Sequence, residues 1–176
     1  MPLLMVPRCE WNALPPCGDV TSLQYPLHAV FITSTETEPC NSQEECARVV
    51  QNLQTTHQYY KLQDLPYSFL IGGDGRVYEG RGWAYSISPP FEVHPESQWK
   101  SIIIAKIGPR SVADPCKFME RAVGSLIDNA IRERRIDYDT NYYFQENDEA
   151  MKNFPFHRFK QINLNNVKKV DVKQLL

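Results

Sequence analysis

No apolar run in the sequence approaches the ~20 residues that cross a bilayer, so a spanning helix is excluded on length alone. Charge of one sign is also missing. Against 19 Lys and Arg stand 21 Asp and Glu, a net charge of −2, which argues against a protein that tracks nucleic-acid phosphates. The five cysteines (Cys9, Cys17, Cys40, Cys46 and Cys116) contain no C-x-x-C spacing, which removes zinc ribbons and thioredoxin-type redox motifs. There is no N-x-S/T glycosylation acceptor, no internal repeat and no low-complexity stretch. Residues 1–8 have neither the length nor the charged start of a secretory signal, so they are expected to mark a domain boundary within a longer chain. The polar tail beyond Phe159, with Asn163, Asn165, Lys168 and Lys173, is expected to be a frayed end. What is present is 176 residues with 42% apolar content. That is one domain, long enough to bury about 70% of its unfolded surface.

Hydrophobic spacing supplies the elements. Ala29-Val30-Phe31-Ile32 is a short buried strand. Ser42-x-x-Glu45 is a capping box, and it predicts a helix from about Gln43 to Tyr60. Apolar or aromatic residues at Cys46, Val49, Val50, Leu53, His57 and Tyr60 form its core-facing stripe. Residues 67–71 and 77–80 read as a hairpin around Gly72-Gly73-Asp74-Gly75, where Asp-Gly supplies a positive φ. Residues 101–107 are apolar on both faces at their centre, as in a strand covered from both sides. Asp114-Pro115 caps a second helix that runs to about Arg134. The expected fold is α/β, a single domain with a central mixed sheet flanked by helices. Residues 84–100 break the pattern with three prolines and no periodicity, and so long a loop in a compact domain is usually functional or disordered.

Cys40 and Cys46 flank the expected helix start, where a bridge is geometrically acceptable. Two free thiols fit the spacing equally well. The odd cysteine count leaves one thiol free or open to intermolecular pairing, and Cys9–Cys17 and Cys17–Cys116 pairings stand as alternatives.

Several stretches together resemble one family. Val6-Pro7-Arg8-x-Glu10-Trp11-x-Ala13 opens it, followed by Cys40 and Cys46, then Gln51 and His57. The most specific stretch runs from Tyr67 through Phe69-Leu70-Ile71-Gly72-Gly73-Asp74-Gly75-Arg76-Val77-Tyr78-Glu79-Gly80-Arg81-Gly82-Trp83. These residues are similar to the peptidoglycan-recognition proteins of animal innate immunity, and most closely to their non-catalytic insect receptor type. The likeness implies an extracellular setting and a Cys40–Cys46 disulfide. It also implies a fold like that of zinc N-acetylmuramoyl-L-alanine amidases, which cut the bond between N-acetylmuramic acid and L-alanine. The domain is expected over residues 6–162, with terminal extensions at 1–5 and 163–176.

Catalytic members of that family hold zinc with His, His and Cys, assisted by a Tyr. The positions that match here are Thr33, Asn147 and Pro155, which supply weak neutral oxygens or no ligand at all. His28, His57, His94 and His157 do not form metal spacing. Only Tyr67 remains at the assisting position. No catalytic residue and no cofactor is therefore expected, and the domain is not expected to be an enzyme.

The family's ligand groove is floored by the sheet and walled by the first helix and the loop after the GRGW motif. The residue pair that the likeness associates with ligand type is Ala84-Tyr85 here, and Ile87-Ser88-Pro89 stands where Gly-Ala-His is usual. The opposite wall, 146–156, carries Glu146, Asp148 and Glu149. Bulk at several walls predicts an obstructed or reshaped groove. Candidate contact residues are Tyr67, Trp83, Tyr85, Phe91 and Trp99, with Arg132, Arg134 and Arg135 as outer-surface candidates. The expected role is a non-catalytic receptor ectodomain, anchored from outside this stretch. It would sense diaminopimelate-type muropeptide by pairing with a muropeptide-loaded related domain, and no nucleic acid is involved. Direct binding in a reshaped groove, a sequestering decoy, and an amidase with unconventional ligands are the alternatives.

Overall fold

The computed structural model describes residues 2–86, 100–109 and 117–144. Six strands form one mixed sheet: β1 (Met5–Val6), β2 (Leu27–Ser34), β3 (Phe69–Ile71), β4 (Val77–Glu79), β5 (Ser101–Lys106) and β6 (Ile136–Phe144). Their order across the sheet is β1-β4-β3-β5-β2-β6. Only the β3–β4 hairpin pairs antiparallel. Helices α1 (Gln43–Tyr59) and α2 (Lys117–Arg132) cover opposite faces. The α/β fold expected from the sequence, a mixed sheet between helices, is the one found.

Strand alternation divides the core. Val30, Ile32, Ile102 and Ile104 turn toward α2, packing with Val123, Leu126 and Ile127. Ala29, Phe31, Ile103 and Ala105 turn toward α1, packing with Cys46 and Val50. This is why β5 reads as apolar on both sides, since all six of its residues are buried.

At the start of α1, Ser42 Oγ accepts the Glu45 N–H at 3.2 Å. The reciprocal bond of the box reaches one residue further back, from the Asn41 N–H to Glu45 Oε2 at 2.9 Å. The expected stripe holds at Cys46, Val50 and His57, but Tyr60 lies past the last turn and is exposed. Gln54 takes a core position instead. Cys40 and Cys46 are joined in a disulfide, their Cα atoms 5.1 Å apart, whereas Cys9 and Cys17 are free and exposed. Cys116 and the Asp114-Pro115 cap lie outside the described residues. In the hairpin turn Gly75 has φ +80°, as Asp-Gly requires, and a Cβ at Gly73 would sit 2.3 Å from the Cys40 carbonyl oxygen.

The N-terminal segment is fastened by a polar cluster that hydrophobic periodicity does not reveal. The Asp64 carboxylate is 2% exposed and pairs with the Arg8 guanidinium at 2.9 Å. It also accepts the Gln54 Nε2–H at 3.0 Å and the Leu65 N–H at 2.8 Å. Gln54 meanwhile accepts the Leu14 N–H and donates to the Leu14 carbonyl, each at 2.8 Å. Trp11 is fully buried in a 3-10 helix (Arg8–Trp11) and donates its indole N–H to the Glu79 carbonyl at 2.9 Å. Removing the carboxylate in Asp64→Ala strands the Gln54 donor and the Leu65 N–H. It is expected to cost about 3 kcal/mol in urea unfolding. Arg8→Ala, whose guanidinium is a quarter exposed, should cost less.

Candidate functional site

The α1-facing side of the sheet carries two of the sequence-predicted site residues, Thr33 and Tyr67. Phe31 and Thr33 share that face of β2 by alternation. Thr33 is half-buried, two residues beyond Phe31 and one before the end of the strand. On the neighbouring edge strand β6, Tyr143 pairs in register with Phe31, and the rings stack at 5.1 Å and 20°.

Across this face, Tyr67 enters just before β3. Its ring is buried, and burial together with the Glu36 charge pushes its hydroxyl up to about 12. The phenol is thus a proton donor at any physiological pH. His57 sits in the last turn of α1, with its ring edge-on to Tyr67 at 6.1 Å. Its Nδ1 lies 2.7 Å from the Leu53 carbonyl. A carbonyl only accepts, so Nδ1 carries the proton and Nε2 of the neutral ring is an acceptor. Burial lowers the pKa of this imidazole, outweighing the opposite pull of the Leu53 bond. The pair therefore comprises one donor and one acceptor, neither of them charged and both buried.

The remaining sequence-predicted residues scatter. Trp83 does not share a surface with Tyr67. It packs with the α2-side core, its ring 4.7 Å from Phe69, and lies under the Arg135 guanidinium at 5.0 Å. The cause is local. Arg81 is buried, and its guanidinium donates to the Leu65 and Ser86 carbonyls at 2.6 and 3.0 Å. Gly82 then turns at φ +63° and carries the next residue to the other side. Tyr85 pairs with Ser22 in an isolated bridge near Trp83 and is 39% exposed. Phe91, Trp99, Asn147 and Pro155 lie outside the described residues, as do 87–99 and 146–156, on which a narrowed groove was expected. Sequence reasoning passed over Tyr143. The aromatic run Tyr142-Tyr143-Phe144 was the signal that could have found it.

Zinc of the amidase type needs three protein ligands with nitrogen, sulfur or carboxylate donors. The described residues do not fit that requirement. The position on β2 offers a threonine hydroxyl, the Nδ1 of His57 is engaged, and no group of three His, Cys, Asp or Glu converges among them.

A mixed sheet with a helix on each face is the architecture of amidase-like recognition domains. No family model matches the chain. It is 34% identical over 132 residues to a peptidoglycan-recognition protein of Drosophila simulans, covering 75% of this chain and 70% of that protein. Over 80 residues it is 40% identical to N-acetylmuramoyl-L-alanine amidase of Mus musculus, spanning 44% of this chain but 15% of that protein. Among solved structures it resembles a chain of the complex of tracheal cytotoxin with the ectodomains of peptidoglycan recognition proteins LCa and LCx. The TM-score is 0.74 and the identity 29%, over 81% of this chain and 84% of that one. The chain belongs to the peptidoglycan-recognition protein family.

The imidazole assignment has a pH consequence. A histidine whose folded pKa lies below its unfolded value of about 6.5 adds stability above that pH, which is lost as pH falls. The unfolding midpoint should therefore drop between pH 7 and pH 5 more in the wild type than in His57→Gln, which keeps a donor for Leu53 without titrating. An equal drop in the urea midpoint in the two proteins would disprove the neutral, buried imidazole.

Proposed function

We propose that this chain is the non-catalytic, extracellular recognition domain of an innate-immune receptor. It takes part in sensing diaminopimelate-type peptidoglycan fragments by pairing with a related domain that holds the muropeptide. The observation that carries this reading is Thr33. At the β2 position where zinc amidases of the family present a ligating imidazole, this chain presents a hydroxyl. A neutral hydroxyl oxygen is a poor partner for a borderline-soft cation, and without three ligands no bound water is activated for attack. The pairing half of the reading is supported by the likeness to the LCa–LCx ectodomain complex with tracheal cytotoxin. An extracellular setting agrees with the Cys40–Cys46 disulfide. No helix among the described residues is long and apolar enough to cross a membrane.

Direct binding in a reshaped groove is a second reading. It is favoured by the uncharged donor–acceptor pair of Tyr67 and His57, which matches the amides of a peptide stem.

Calorimetry, mass spectrometry and elemental analysis separate these readings. The purified chain, given a diaminopimelate-type muropeptide with and without added zinc, is expected to release no cleaved stem and to hold no stoichiometric zinc. Muropeptide alone should give no heat, whereas a muropeptide-loaded related domain should bind. Saturable heat from the fragment alone would favour groove binding. Partner binding that ignores the fragment would identify a sequestering decoy. Cleavage with bound zinc would overturn the non-catalytic assignment.

A further inference from the structure

The face of the sheet opposite the His57–Tyr67 pair carries an arginine, Arg135, that is held in place while its two Nη groups meet no acceptor among the described residues. Arg135 lies just beyond α2, in the turn into β6. Four contacts fix it. Its guanidinium carbon stands 5.0 Å from the centroid of the Trp83 ring. Its Nε–H donates to Glu133 Oε2 at 2.9 Å. Its backbone N–H donates to the Ala130 carbonyl, and its own carbonyl accepts the Leu27 N–H, both at 2.9 Å. Glu133 is in turn held by the Asn129 side-chain amide at 3.1 Å. Stacking on an indole costs a guanidinium none of its in-plane donors. With Nε committed and one face covered by the indole, the two Nη groups of Arg135 find no acceptor among the described residues. Arg132 and Arg134 flank it, both exposed and without an ion-pair partner among those residues.

Aromatic surface surrounds these charges. Tyr25, 40% exposed, donates its hydroxyl to the Trp83 carbonyl, and Tyr85 is 39% exposed. Residues 21–23 run beside 84–86 and join the two stretches, through Leu23 N–H to the Ala84 carbonyl at 3.0 Å and Ser86 N–H to the Thr21 carbonyl at 2.7 Å. Tyr, Trp and Arg are the residue types that carry most interface energy. A guanidinium held in place, with an Nη edge that meets no acceptor among the described residues, is pre-organised for a carboxylate, because little side-chain freedom is left to lose on docking.

We propose that the Tyr25–Trp83–Arg135 corner, with Arg134 beside it, docks a carboxylate-bearing face of the related domain with which this chain pairs. The proposal rests on the pairing reading above and assigns it a surface on the α2 side, away from the His57–Tyr67 face. The acids that flank Arg135 in sequence leave room for an incoming carboxylate. Glu133 is already spent on the Nε edge of Arg135. Asp137, near the start of β6, directs its charge at the Tyr142 hydroxyl, where it adds to burial in raising the phenol's pKa.

The test is titration of the intact chain with a muropeptide-loaded related domain, by calorimetry or surface plasmon resonance. Arg134→Glu reverses an exposed charge, and Arg135→Lys keeps the charge but loses the fork. Each is checked for an unchanged far-ultraviolet spectrum. Arg134→Glu is expected to weaken binding at least tenfold and Arg135→Lys several-fold. Wild-type affinity should fall as sodium chloride rises from about 50 to about 500 mM. If the wild type binds and both variants match it, the surface assignment is wrong while pairing stands. If the wild type does not bind the loaded domain at all, pairing itself fails and takes this surface with it.

Discussion

The Asp64 carboxylate is the contact on which the arrangement of the site depends. It is nearly fully buried and accepts from Arg8, Gln54 and the Leu65 backbone. Each partner belongs to a different part of the molecule. Arg8 opens the 3-10 helix, Gln54 lies on α1 one turn before His57, and Leu65 leads into the segment that delivers Tyr67. One charged group therefore ties the N-terminal segment, the end of α1 and the approach to β3 to a common point. A buried carboxylate is a poor source of net stability, because its desolvation offsets much of what its partners return. What it supplies is position. Sliding α1 by a fraction of a turn would pull the Gln54 amide off the Asp64 carboxylate, and the edge-on contact of His57 with Tyr67 would be lost with it.

The same logic bears on the proposed replacement of a metal ligand at Thr33. A zinc ion cross-links the elements that hold it, and its removal should loosen them. Here the end of β2 has its own fastenings. Thr35 Oγ1 accepts the Gly108 N–H at 3.1 Å and lies 2.7 Å from Thr37 Oγ1. The Thr35 N–H donates to the Lys106 carbonyl and the Glu36 N–H to the Gly108 carbonyl. The strand end is thus locked to β5 and the turn after it by neutral hydrogen bonds, independent of what occupies position 33. On the proposed reading, these bonds hold the strand end whatever side chain stands at position 33.

Much of this architecture was legible in the sequence, and the parts that were not share a physical cause. Helix α1 announced itself through Ser42, Glu45 and the spacing of Cys46, Val50 and His57, because capping and periodicity are local. The β3–β4 hairpin and β5 were equally local. Strand β1 has two residues, too few to show any period, and exists only because β4 lies alongside it. Strand β6 interleaves exposed Asp137 and Asn141 with buried Ile136, Thr140 and Tyr142. It also slips register against β2 between Leu27 and Ala29, so its polar residues hide a strand that hydrophobic runs would otherwise reveal. Gln54 reads as a polar interruption of a helix stripe. Its role appears only when Leu14 and Asp64, distant in the chain, arrive on either side of it. Trp83 is the instructive candidate. Its motif singled it out, but which face of the sheet it joins is decided by the φ +63° turn at Gly82 and by the anchoring of Arg81.

That turn has a functional corollary. By sending Trp83 to the α2 side, it divides the aromatic residues of the motif between two faces separated by the thickness of the sheet. Tyr67 and His57 form an uncharged donor–acceptor pair on one face, and Trp83 supports a cation on the other. The chemistries do not overlap, since one suits neutral amides and hydroxyls and the other suits carboxylates. Sites that share no partner and lie on opposite faces of a packed sheet perturb one another little. Substitutions on the α1 side of the sheet are therefore expected to leave the opposite corner undisturbed, so the proposed loss of metal ligands and the proposed docking corner are physically independent.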